Sequence, residues 1–435
     1  MNQLRIGIDG YNLAMRHGTG VATYGMVLAQ VLKHAGHRVE GVFGLDVGRD
    51  PALREVMFFD LLAREEPKNK TRAQVRREAA RLFREAVPPI RRPRAYDVPL
   101  SDQVEKGAFS HRLPAFDRLV SSARLFEIAH AHFQYHGRFI RLRMDNPPPI
   151  MHWTYPVPVE LEGSRNIYTM HDLVPLRLPY TTLDVKKSYF AVVRKCAERA
   201  AHICTVSEAS RRDIISSLGV DPARVTNTYQ ASLMPPDVLH ADAADDAAMV
   251  EGIFGLQQRG FFLFFGAIEP KKNVGRMIEA YLSTRTQTPL VIVGARAWQS
   301  EDELKLAGGG MGQRIVRLDY LPRPLLLRLI RTARAVLFPS LYEGFGLPVL
   351  EAMQLGTPVL TSQTSALIEV AGDAAVMVDP YNVNSIAAGL EALDSDEQLR
   401  TRLQTSGLTQ AALFSEARYR ERLEQMYHRV LGQGV

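Results

Sequence analysis

Two glutamates, Glu343 and Glu351, stand eight residues apart in a glycine-rich stretch, residues 338–358, which reads FPSLYEGFGLPVLEAMQLGTP. A carboxylate accepts hydrogen bonds from hydroxyl groups, and an ionised one binds them strongly. Two carboxylates on either side of a glycine turn therefore suit a ligand that carries hydroxyl groups at both of its ends. The alternative is an ordinary buried strand, loop and helix whose carboxylates are solvated.

The surrounding residues predict the elements that position these glutamates. Residues 335–338 form an apolar run of strand length, which Pro339 ends. From Leu347 onwards apolar residues recur at helical spacing, and Pro348 suits a first helical turn, where its missing N–H costs nothing. Gly356 then closes the predicted helix. This order of strand, glycine loop and helix aims unpaired backbone N–H groups and the positive helix end at a ligand, which suits a phosphate.

A diphosphate flanked by two hydroxylated groups is a nucleotide sugar. The segment closely resembles the donor-site signature of retaining GT-B glycosyltransferases, in particular glycosyltransferase family 4. The resemblance implies that Glu343 contacts the donor sugar and that Glu351 contacts the ribose. The resemblance also implies that the loop and the helix start bind the donor, through Gly344, Phe345, Gly346 and Leu347.

A second segment, residues 267–273, reads AIEPKKN and follows a predicted apolar strand. Its adjacent lysines, Lys271 and Lys272, repel each other unless an anion lies nearby. This turn resembles the donor loop of the same family, which implies that Lys272 binds the diphosphate, with Lys271 beside it. Many family members carry an arginine where this chain has Ala267. In this chain the lysines are therefore the side chains expected to neutralise the phosphate charge. A solvated turn with two surface lysines is the alternative.

The N-terminal half provides two further candidates. Gly20 opens a predicted helix after a strand predicted at residues 4–9 and resembles the family's first loop, although an NAD site would be equally compatible with the spacing. His171 follows another predicted strand, and the resemblance implies that it reaches a hydroxyl of the donor sugar. The alternative for His171 is a core histidine bonded to a backbone carbonyl. Asp172 and Ser207 are interpreted as capping residues.

The chain has 435 residues, 46% of them hydrophobic, which is enough for two cores, and alternating strand and helix patterns predict an α/β class with parallel sheets. The resemblance implies the GT-B fold, in which two Rossmann-like domains face each other across a crevice and the C-terminal helix crosses back. The predicted parts are an N-terminal acceptor-binding domain at 1–236 with a basic insertion around 46–115, a linker at 237–259, a donor-binding domain at 260–415 and the returning helix at 416–435.

The net charge of +6 is unevenly spread, because residues 68–94 hold ten basic residues against Glu78 and Glu85. Apolar residues within this segment fall on one helical face. A basic amphipathic helix suits an anionic membrane surface, where each basic residue contributes about 1 kcal/mol. A solvated helix on the first domain is the alternative, and nucleic acid is a poorer interpretation because no binding module accompanies the charge. The basic residues are Lys68, Lys70, Arg72, Arg76, Arg77, Arg81, Arg84, Arg91, Arg92 and Arg94.

Two cysteines, Cys196 and Cys204, lack metal-binding spacing, which predicts a reducing compartment rather than a disulfide framework. We recognise no signal peptide and no apolar run near the roughly 20 residues of a membrane span. The expected location is therefore the cytoplasm, with peripheral attachment to the inner face of the plasma membrane if the basic helix binds lipid.

Two groupings could suggest a metal. His130 and His132 would share one face of a predicted strand, with His136 nearby, but no carboxylate or cysteine pattern completes a site. Asp394 and Asp396 spell the metal motif of the other main glycosyltransferase fold, yet they fall between two predicted helices, where a surface loop is the better interpretation. We expect no metal and no cofactor beyond the donor, whose diphosphate is neutralised by lysine, backbone N–H groups and helix ends.

The sequence thus predicts a metal-independent retaining hexosyltransferase with His171, Lys272 and Glu343 as its catalytic residues. The EPKKN variant with Ala267 resembles bacterial mannosyltransferases of surface polysaccharide assembly, so the preferred donor is GDP-mannose. The expected acceptor is a hydroxyl of a growing surface glycan or of a polyprenyl-diphosphate-linked oligosaccharide. The alternatives are a noncatalytic sugar-nucleotide-binding protein, which Ala267 favours, a GT-B transferase using a UDP- or dTDP-sugar, and an epimerase or phosphorylase of the same fold.

Overall fold

Two sheets of mainly parallel strands, each covered by helices, form the two domains of this chain. The structure is a computed structural model that describes residues 3–15, 20–64, 71–101, 103–110, 112–239, 241–295, 297, 299–307 and 314–432. The α/β class predicted from the sequence is confirmed. The predicted domain limits stay a prediction.

The N-terminal sheet has the order β10-β9-β8-β6-β1-β2-β4-β3, in which β3 alone runs antiparallel to its neighbour, and β5 pairs with β7 in a small parallel sheet. These strands are β1 (Arg5–Asp9), β2 (Arg38–Phe43), β3 (Tyr96–Val98), β4 (Arg118–Ser121), β5 (Ile140–Leu142), β6 (Ile150–Trp153), β7 (Val159–Leu161), β8 (Arg165–Thr169), β9 (His202–Thr205) and β10 (Val225–Asn227). The helices of this half are α1 (Gly20–His34), α2 (Arg54–Ala63), α3 (Arg72–Ala86), α4 (Leu125–His136), α5 (Val174–Arg177), α6 (Lys186–Arg199) and α7 (Glu208–Leu218).

The C-terminal sheet is parallel throughout, with the order β13-β12-β11-β14-β15-β16. Its strands are β11 (Phe262–Phe265), β12 (Leu290–Val293), β13 (Ile315–Leu318), β14 (Ala335–Phe338), β15 (Val359–Ser362) and β16 (Val376–Val378). The helices are α8 (Pro236–Leu239), α9 (Ala243–Phe254), α10 (Val274–Ser283), α11 (Ser300–Glu303), α12 (Arg323–Thr332), α13 (Leu347–Gln354), α14 (Ser365–Ala371), α15 (Val383–Ser395), α16 (Glu397–Ala411) and α17 (Glu416–Leu431).

The central strands of the second sheet are apolar without interruption. β11 reads FLFF and β12 reads LVIV, and every residue of both strands is buried. Continuous apolar runs of this kind are typical of parallel strands whose two faces are both covered by helices. The sheet is therefore a rigid base for the loops at the carboxyl ends of its strands.

The segment before this sheet is an ordered helix within the predicted linker. α9 packs on α12, and the buried Asp246 lies 2.5 Å from Arg328 Nη1 and 2.7 Å from Arg331 Nη1. A buried carboxylate is tolerated when it is paired in this way. The acidic, alanine-rich segment that suggested a linker thus contains Asp246, which fixes α9 to the C-terminal domain.

The last helix crosses back to the N-terminal domain, as the fold resemblance implies. On α17, the hydroxyl of Tyr427 lies 2.7 Å from His152 Nδ1 on β6, and His152 Nε2 lies 2.6 Å from Thr169 Oγ1 on β8. Nearer the start of α17, Glu416 bonds His34 of α1 at 2.7 Å. Burial lowers the pKa of His152 from its ordinary value to about 3. The junction is therefore built around a neutral imidazole.

The histidine cluster lies on a helix, so the strand predicted for it is wrong. His130, His132 and His136 belong to α4, where residues two apart do not share a face. His132 Nδ1 lies 2.8 Å from the carbonyl oxygen of Ala86, and His136 Nε2 lies 2.7 Å from that of Val87. These two histidines therefore hold the end of α3, and their ring centres lie 4.8 Å apart.

The pair Asp394 and Asp396 is also structural. Asp394 lies in the last turn of α15 rather than in a surface loop, and its carboxylate accepts hydrogen bonds from Thr288 and Arg334 at 2.7 and 2.6 Å. Asp396 accepts a bond from the backbone N–H of Leu399 and caps α16. The loop interpretation is wrong for Asp394, because helix α15 continues past it to Ser395, whereas the exposed Asp396 does lie between α15 and α16.

α3 is an amphipathic helix whose apolar face is half open to solvent. Val75 is 51% exposed and Phe83 is 49% exposed, although the Phe83 ring contacts Tyr135 of α4 edge-on at 5.3 Å. Lys68 and Lys70, which precede α3 in the predicted basic segment, lie outside the described residues. Across the part of the chain that the structure describes, none of the helices has the length and apolar character needed to span a bilayer.

Candidate functional site

The glycine loop joins β14 to α13 as the sequence predicts. Gly346 precedes α13 with φ of 113°, and a Cβ at this residue would lie 2.7 Å from the side chain of Leu367. The backbone conformation favours glycine here, and a larger residue would also have to displace the Leu367 side chain. Pro348 lies in the first turn, and Gly356 follows the helix with φ of 66°. The start of α13 therefore presents free backbone N–H groups at the carboxyl edge of the sheet.

Glu343 and Lys272 meet in the space that these loops enclose. Lys272 Nζ donates a hydrogen bond to Glu343 Oε1 at 2.6 Å, and the two side chains are 13% and 11% exposed. The ammonium group also lies 4.9 Å from the centre of the Phe338 ring at the end of β14. The sequence segments around Lys272 and Glu343, 71 residues apart, are thus brought together in one site.

Lys271 adds a second positive charge beside this pair. Its Nζ lies 3.4 Å from Glu269, and its backbone carbonyl accepts a hydrogen bond from the N–H of Leu341 at 2.8 Å. Burial lowers the pKa of Lys271, but the carboxylates of Glu343, Glu269 and Asp172 outweigh burial and raise it above its ordinary value. Lys271 is therefore charged at neutral pH.

The same charges act on Glu343. Burial raises the pKa of this carboxyl, but the charges of Lys272 and Lys271 outweigh burial, so the net pKa lies below its ordinary value. Glu343 is therefore ionised at neutral pH and is an acceptor only. The backbone N–H of Glu343 is also fixed, because it donates to Ser365 Oγ at 3.0 Å.

Asn273 organises these loops, a role that the sequence interpretation missed. It has φ of 60°, and its side-chain amide donates to the carbonyls of Pro339 at 3.0 Å and Pro380 at 2.7 Å. A buried asparagine in the left-handed region that ties two other loops together fixes the turn before α10. Its place at the end of the AIEPKKN segment was the signal that could have identified it.

His171 of the N-terminal domain contacts the glycine loop of the C-terminal domain. It follows β8, and a Cβ built on Gly344 would lie only 2.6 Å from the His171 carbonyl oxygen, so only glycine allows this approach. Ser210 of α7 donates a hydrogen bond to the same carbonyl at 2.7 Å. We call the space between the end of β8 and the loop before α13 the donor crevice. It is bordered by His171 on one side and by Glu343 on the other.

One nitrogen of the His171 imidazole already has a hydrogen-bond partner. Its Nε2 lies 2.9 Å from the carbonyl oxygen of Thr154, so this nitrogen carries the proton, and the ring also meets Tyr24 edge-on at 4.8 Å. Burial lowers the pKa of His171, and the bond to Thr154 and the charge of Asp172 only partly oppose it. The neutral ring then leaves Nδ1 as a hydrogen-bond acceptor. This is the tautomer that can receive a hydroxyl group.

Glu351 lies apart from Glu343, on α13. Its Oε1 is 2.9 Å from Arg323 Nη2 and 3.2 Å from Ser232 Oγ. Arg323, on α12, was not singled out from the sequence, because its position beside Glu351 depends on the packing of two helices. A carboxylate held in this way can still accept a hydroxyl, since it has about four lone-pair directions.

The other residues predicted to bind the donor, namely Phe345, Leu347 and Gly20, differ in the groups that they expose. Phe345 is 3% exposed, and its ring packs on Phe414 at 5.6 Å, so only its backbone can face the donor crevice. Leu347 is the first residue of α13, and Gly20 is the first residue of α1, exposed and without contacts at its Cβ position. The family-like loop before Gly20 includes Thr19, which lies outside the described residues.

Further contacts join the two domains beside the donor crevice. Glu369 of α14 accepts hydrogen bonds from the backbone N–H groups of Glu208 and Ala209 at 2.8 and 2.6 Å, at the start of α7. A carboxylate at a helix N-terminus is stabilised by the unpaired N–H groups there. Ser207 caps the same helix by accepting a bond from the N–H of Ser210 at 3.0 Å, which confirms its predicted role.

Comparison with known proteins agrees with this geometry. The family model described as "Glycosyl transferases group 1" matches residues 254–409, which contain the AIEPKKN turn and the glycine loop. The model described as "Glycosyl transferase 4-like domain" matches residues 19–228. O-antigen chain mannosyltransferase B of Escherichia coli is 33% identical over 257 residues, which cover 58% of this chain and 67% of that protein. The chain belongs to glycosyltransferase family 4.

Another relative is longer than this chain. The serotype-specific mannosyltransferase WbdA of Escherichia coli is 29% identical over 274 residues, and the match covers 61% of this chain but only 33% of WbdA. The crystal structure of Anabaena HepE in complex with UDP and glucose has a TM-score of 0.62 at 13% identity, with 98% of this chain and 100% of that chain covered. This likeness confirms the GT-B fold for the present family member.

Proposed function

We propose that this glycosyltransferase is a retaining hexosyltransferase that transfers mannose from GDP-mannose to a hydroxyl of a growing surface glycan or lipid-linked oligosaccharide. The observation that carries the proposal is the Lys272–Glu343 pair at 2.6 Å, held beside His171 at the carboxyl edges of both sheets. Ligands of open α/β sheets bind at this edge. The mannose is supported by two mannosyltransferase relatives whose matches cover 58% and 61% of this chain.

The diphosphate of the donor is assigned to the lysines and the start of α13. Lys272 and Lys271 supply positive charge, and the free N–H groups near Leu347 supply directed donors. Charge on the leaving diphosphate grows as the bond to the sugar breaks, so these groups bind the transition state more strongly than the ground state. Because these groups can neutralise the diphosphate themselves, we propose a metal-independent reaction.

The proposed reaction is a front-face substitution. The acceptor oxygen forms a bond to the anomeric carbon on the face from which the diphosphate departs, and the bond between that carbon and the diphosphate oxygen breaks. The acceptor proton passes to the leaving diphosphate oxygen, which balances the charge. Retention of configuration follows because the bond forms and breaks on the same face.

Glu343 and His171 are proposed to hold the sugar during this step. The ionised Glu343 has a second oxygen, Oε2, beyond the one that Lys272 occupies, and Nδ1 of His171 is an acceptor on the opposite side of the donor crevice. Two acceptors on opposite walls orient a sugar that carries several hydroxyls. Glu351, farther along α13, is proposed to accept the ribose hydroxyls.

We further propose that the enzyme works in the cytoplasm and binds the inner face of the plasma membrane through α3. The support is the open apolar face of this helix, with Val75 and Phe83 exposed, together with its arginines. A polyprenyl-diphosphate-linked acceptor is confined to a membrane, so attachment of the acceptor-binding domain brings enzyme and acceptor together.

A panel of nucleotide sugars tests the proposed donor. Thermal unfolding of the purified protein is measured with GDP-mannose, UDP-glucose, ADP-glucose and dTDP-glucose, because a ligand that binds the native state at 100 times its Kd stabilises it by about 2.7 kcal/mol. Stabilisation by GDP-mannose with release of GDP in the presence of acceptor supports the proposal. Stronger stabilisation by UDP-glucose than by GDP-mannose would mean that the donor is a UDP-sugar. This is the leading alternative, because HepE has the same fold and was crystallised with UDP and glucose. Binding without any transfer would favour a noncatalytic protein, in line with Ala267.

A further inference from the structure

A cavity of about 560 Å³ lies in the N-terminal domain, away from the donor crevice. It is bordered by residues 89–92 after α3, by residues 136–139 and Arg141 at and after the end of α4, by Glu160 and by the end of α6. Helices that follow parallel strands return to the amino edge of the sheet, whereas His171 lies at the carboxyl edge. We call this space the basic cavity. It is not part of the site described above.

The walls of the basic cavity carry a marked excess of positive charge. Among the described residues that line it, Glu160 is the one acidic side chain, and it forms a bidentate pair with Arg199 whose second distance is 2.6 Å. Six basic side chains line the cavity: Arg91, Arg92, Arg138, Arg141, Lys195 and Arg199.

Three of these six cations have no carboxylate partner among the described residues. Arg199 bonds Glu160, and outside the cavity Arg92 reaches Glu162 at 3.3 Å and Lys195 reaches Glu198 at 2.8 Å. The ion pairs of the described residues include none for the remaining three, which are Arg91, Arg138 and Arg141.

Arg91 gives a second, independent sign of an anion site. Its Nε is buried, yet no hydrogen-bond acceptor in the described chain reaches it. A buried donor without a partner destabilises the fold, and unpaired guanidinium groups that share a cavity also repel one another. An anion bound among these arginines would remove both costs.

We propose that the basic cavity binds a phosphate-bearing group. Guanidinium groups present planar forks that match the oxygens of phosphate, and arginine is the side chain most suited to that recognition. The volume falls within the range of small-ligand sites. Ile90, which is 72% exposed, and Phe139 also line the cavity, so the phosphate group can carry an apolar substituent.

A purely structural role for the arginines is the competing explanation. α3, α4 and α6 all end near the cavity, at Ala86, His136 and Arg199, and the carbonyl groups at a helix C-terminus attract cations. This explanation predicts that the arginines stabilise the fold but bind no phosphate. The two explanations therefore differ in one measurable quantity, the affinity for a phosphate probe.

Isothermal titration of the full chain with inorganic pyrophosphate measures that affinity. The test variant combines Arg91→Gln, Arg138→Gln and Arg141→Gln. Its matched control combines Arg402→Gln, Arg418→Gln and Arg420→Gln, which removes the same charge from exposed positions on α16 and α17. Because the donor crevice can also take pyrophosphate, each triple variant is made in the Lys272→Ala background.

The proposal expects at least a tenfold weaker Kd for the cavity variant and a change of less than twofold for the control. A triple variant with Arg91→Lys, Arg138→Lys and Arg141→Lys keeps the charge and is expected to retain an intermediate affinity. It controls for the possibility that the glutamine variant binds weakly because it is misfolded. Equal affinity of the cavity variant and the Lys272→Ala parent overturns the proposal, as does an undetectable interaction in that parent. Because Lys272 is already replaced, neither outcome bears on the donor site.

Vesicle sedimentation then distinguishes a lipid headgroup from a soluble phosphate compound. The same proteins are mixed with vesicles of phosphatidylglycerol and phosphatidylcholine, or of phosphatidylcholine alone, at one ionic strength. If the cavity binds a headgroup, its variant loses several times more binding than the control of equal charge. If the natural phosphate is soluble, both variants lose vesicle binding equally while the pyrophosphate result is unchanged.

Discussion

Lys272 Nζ lies 2.6 Å from Glu343 Oε1, and this ion pair joins the turn before α10 to the loop before α13. Desolvation makes a nearly buried pair of this kind a poor source of stability. The pair instead keeps Glu343 ionised and Lys272 oriented in the donor crevice before any donor arrives. Groups arranged in advance require little reorganisation when charge develops on a leaving diphosphate.

The Lys272→Ala variant tests whether this lysine binds the donor diphosphate. We expect its Kd for the nucleoside diphosphate to rise about 10- to 100-fold, because a hydrogen bond to a charged group contributes about 1.5–3 kcal/mol. Titration calorimetry of GDP and UDP measures this, with Lys305→Ala on the surface as the control. EDTA is expected to leave wild-type activity unchanged, so activity that chelation abolishes and manganese restores would show that the diphosphate depends on a metal.

The Glu351→Gln variant separates the roles of the two glutamates. Ribose lies away from the reacting carbon, so we expect the donor KM to rise several-fold while kcat stays within about twofold. Steady-state kinetics measures both constants, and Glu391→Gln on the exposed face of α15 is the control. A loss of kcat as large as that of a Glu343 variant would reverse the assignment of the two carboxylates.

His152 makes the fold sensitive to acid. Its pKa is lowered from 6.5 to about 3, so the unfolded chain binds a proton at pH 5 that the native chain does not, and stability falls as pH drops below about 6.5. At pH 5 this linkage costs about 2 kcal/mol relative to pH 7. We expect His152→Gln to be less stable at pH 7 but to lose about 2 kcal/mol less between pH 7 and pH 5.

Urea unfolding of wild type and His152→Gln at the two pH values measures this difference. Gln258→Ala, at an exposed position without a titratable side chain, is the control and is expected to show the wild-type acid sensitivity. An acid sensitivity of His152→Gln equal to that of wild type would mean that other groups control stability in this range.

The exposed face of α3 is expected to bind anionic lipid. Vesicle sedimentation is expected to show binding to anionic but not zwitterionic vesicles, lost as salt rises to 1 M, where the Debye length is about 3 Å. Replacing five arginines by glutamine is expected to abolish binding, namely Arg72, Arg76, Arg77, Arg81 and Arg84. Equal binding to both kinds of vesicle, or none to either, would leave α3 as a solvated helix.

The sequence predicted the donor half of the fold well because its signals are local. The run before Pro339, the proline in the first turn of α13 and the adjacent lysines each define a strand end, a helix start or a charged turn within a few residues. These signals placed Lys272 and Glu343 at two strand-to-helix turns, and parallel pairing of β11 with β14 brought the turns together.

The errors and omissions lie where contacts are distant in sequence. The histidines of α4 were assigned to a strand because two residues of separation fit a strand face, whereas their helix is fixed by contacts with the end of α3. Arg323 meets Glu351 only through the packing of α12 on α13. No local sequence pattern predicts such an ion pair.

The Glu343→Gln variant in a transfer assay tests the central claim most directly. Purified wild type and variant are incubated with radiolabelled GDP-mannose and a glycan acceptor, with Glu279→Gln on the exposed face of α10 as the control. We expect wild type and control to transfer label and the variant to lose at least 100-fold in kcat/KM, about 2.7 kcal/mol, while its circular dichroism is unchanged. Transfer by a folded Glu343→Gln variant at the wild-type rate would contradict the assignment of this loop as the donor site.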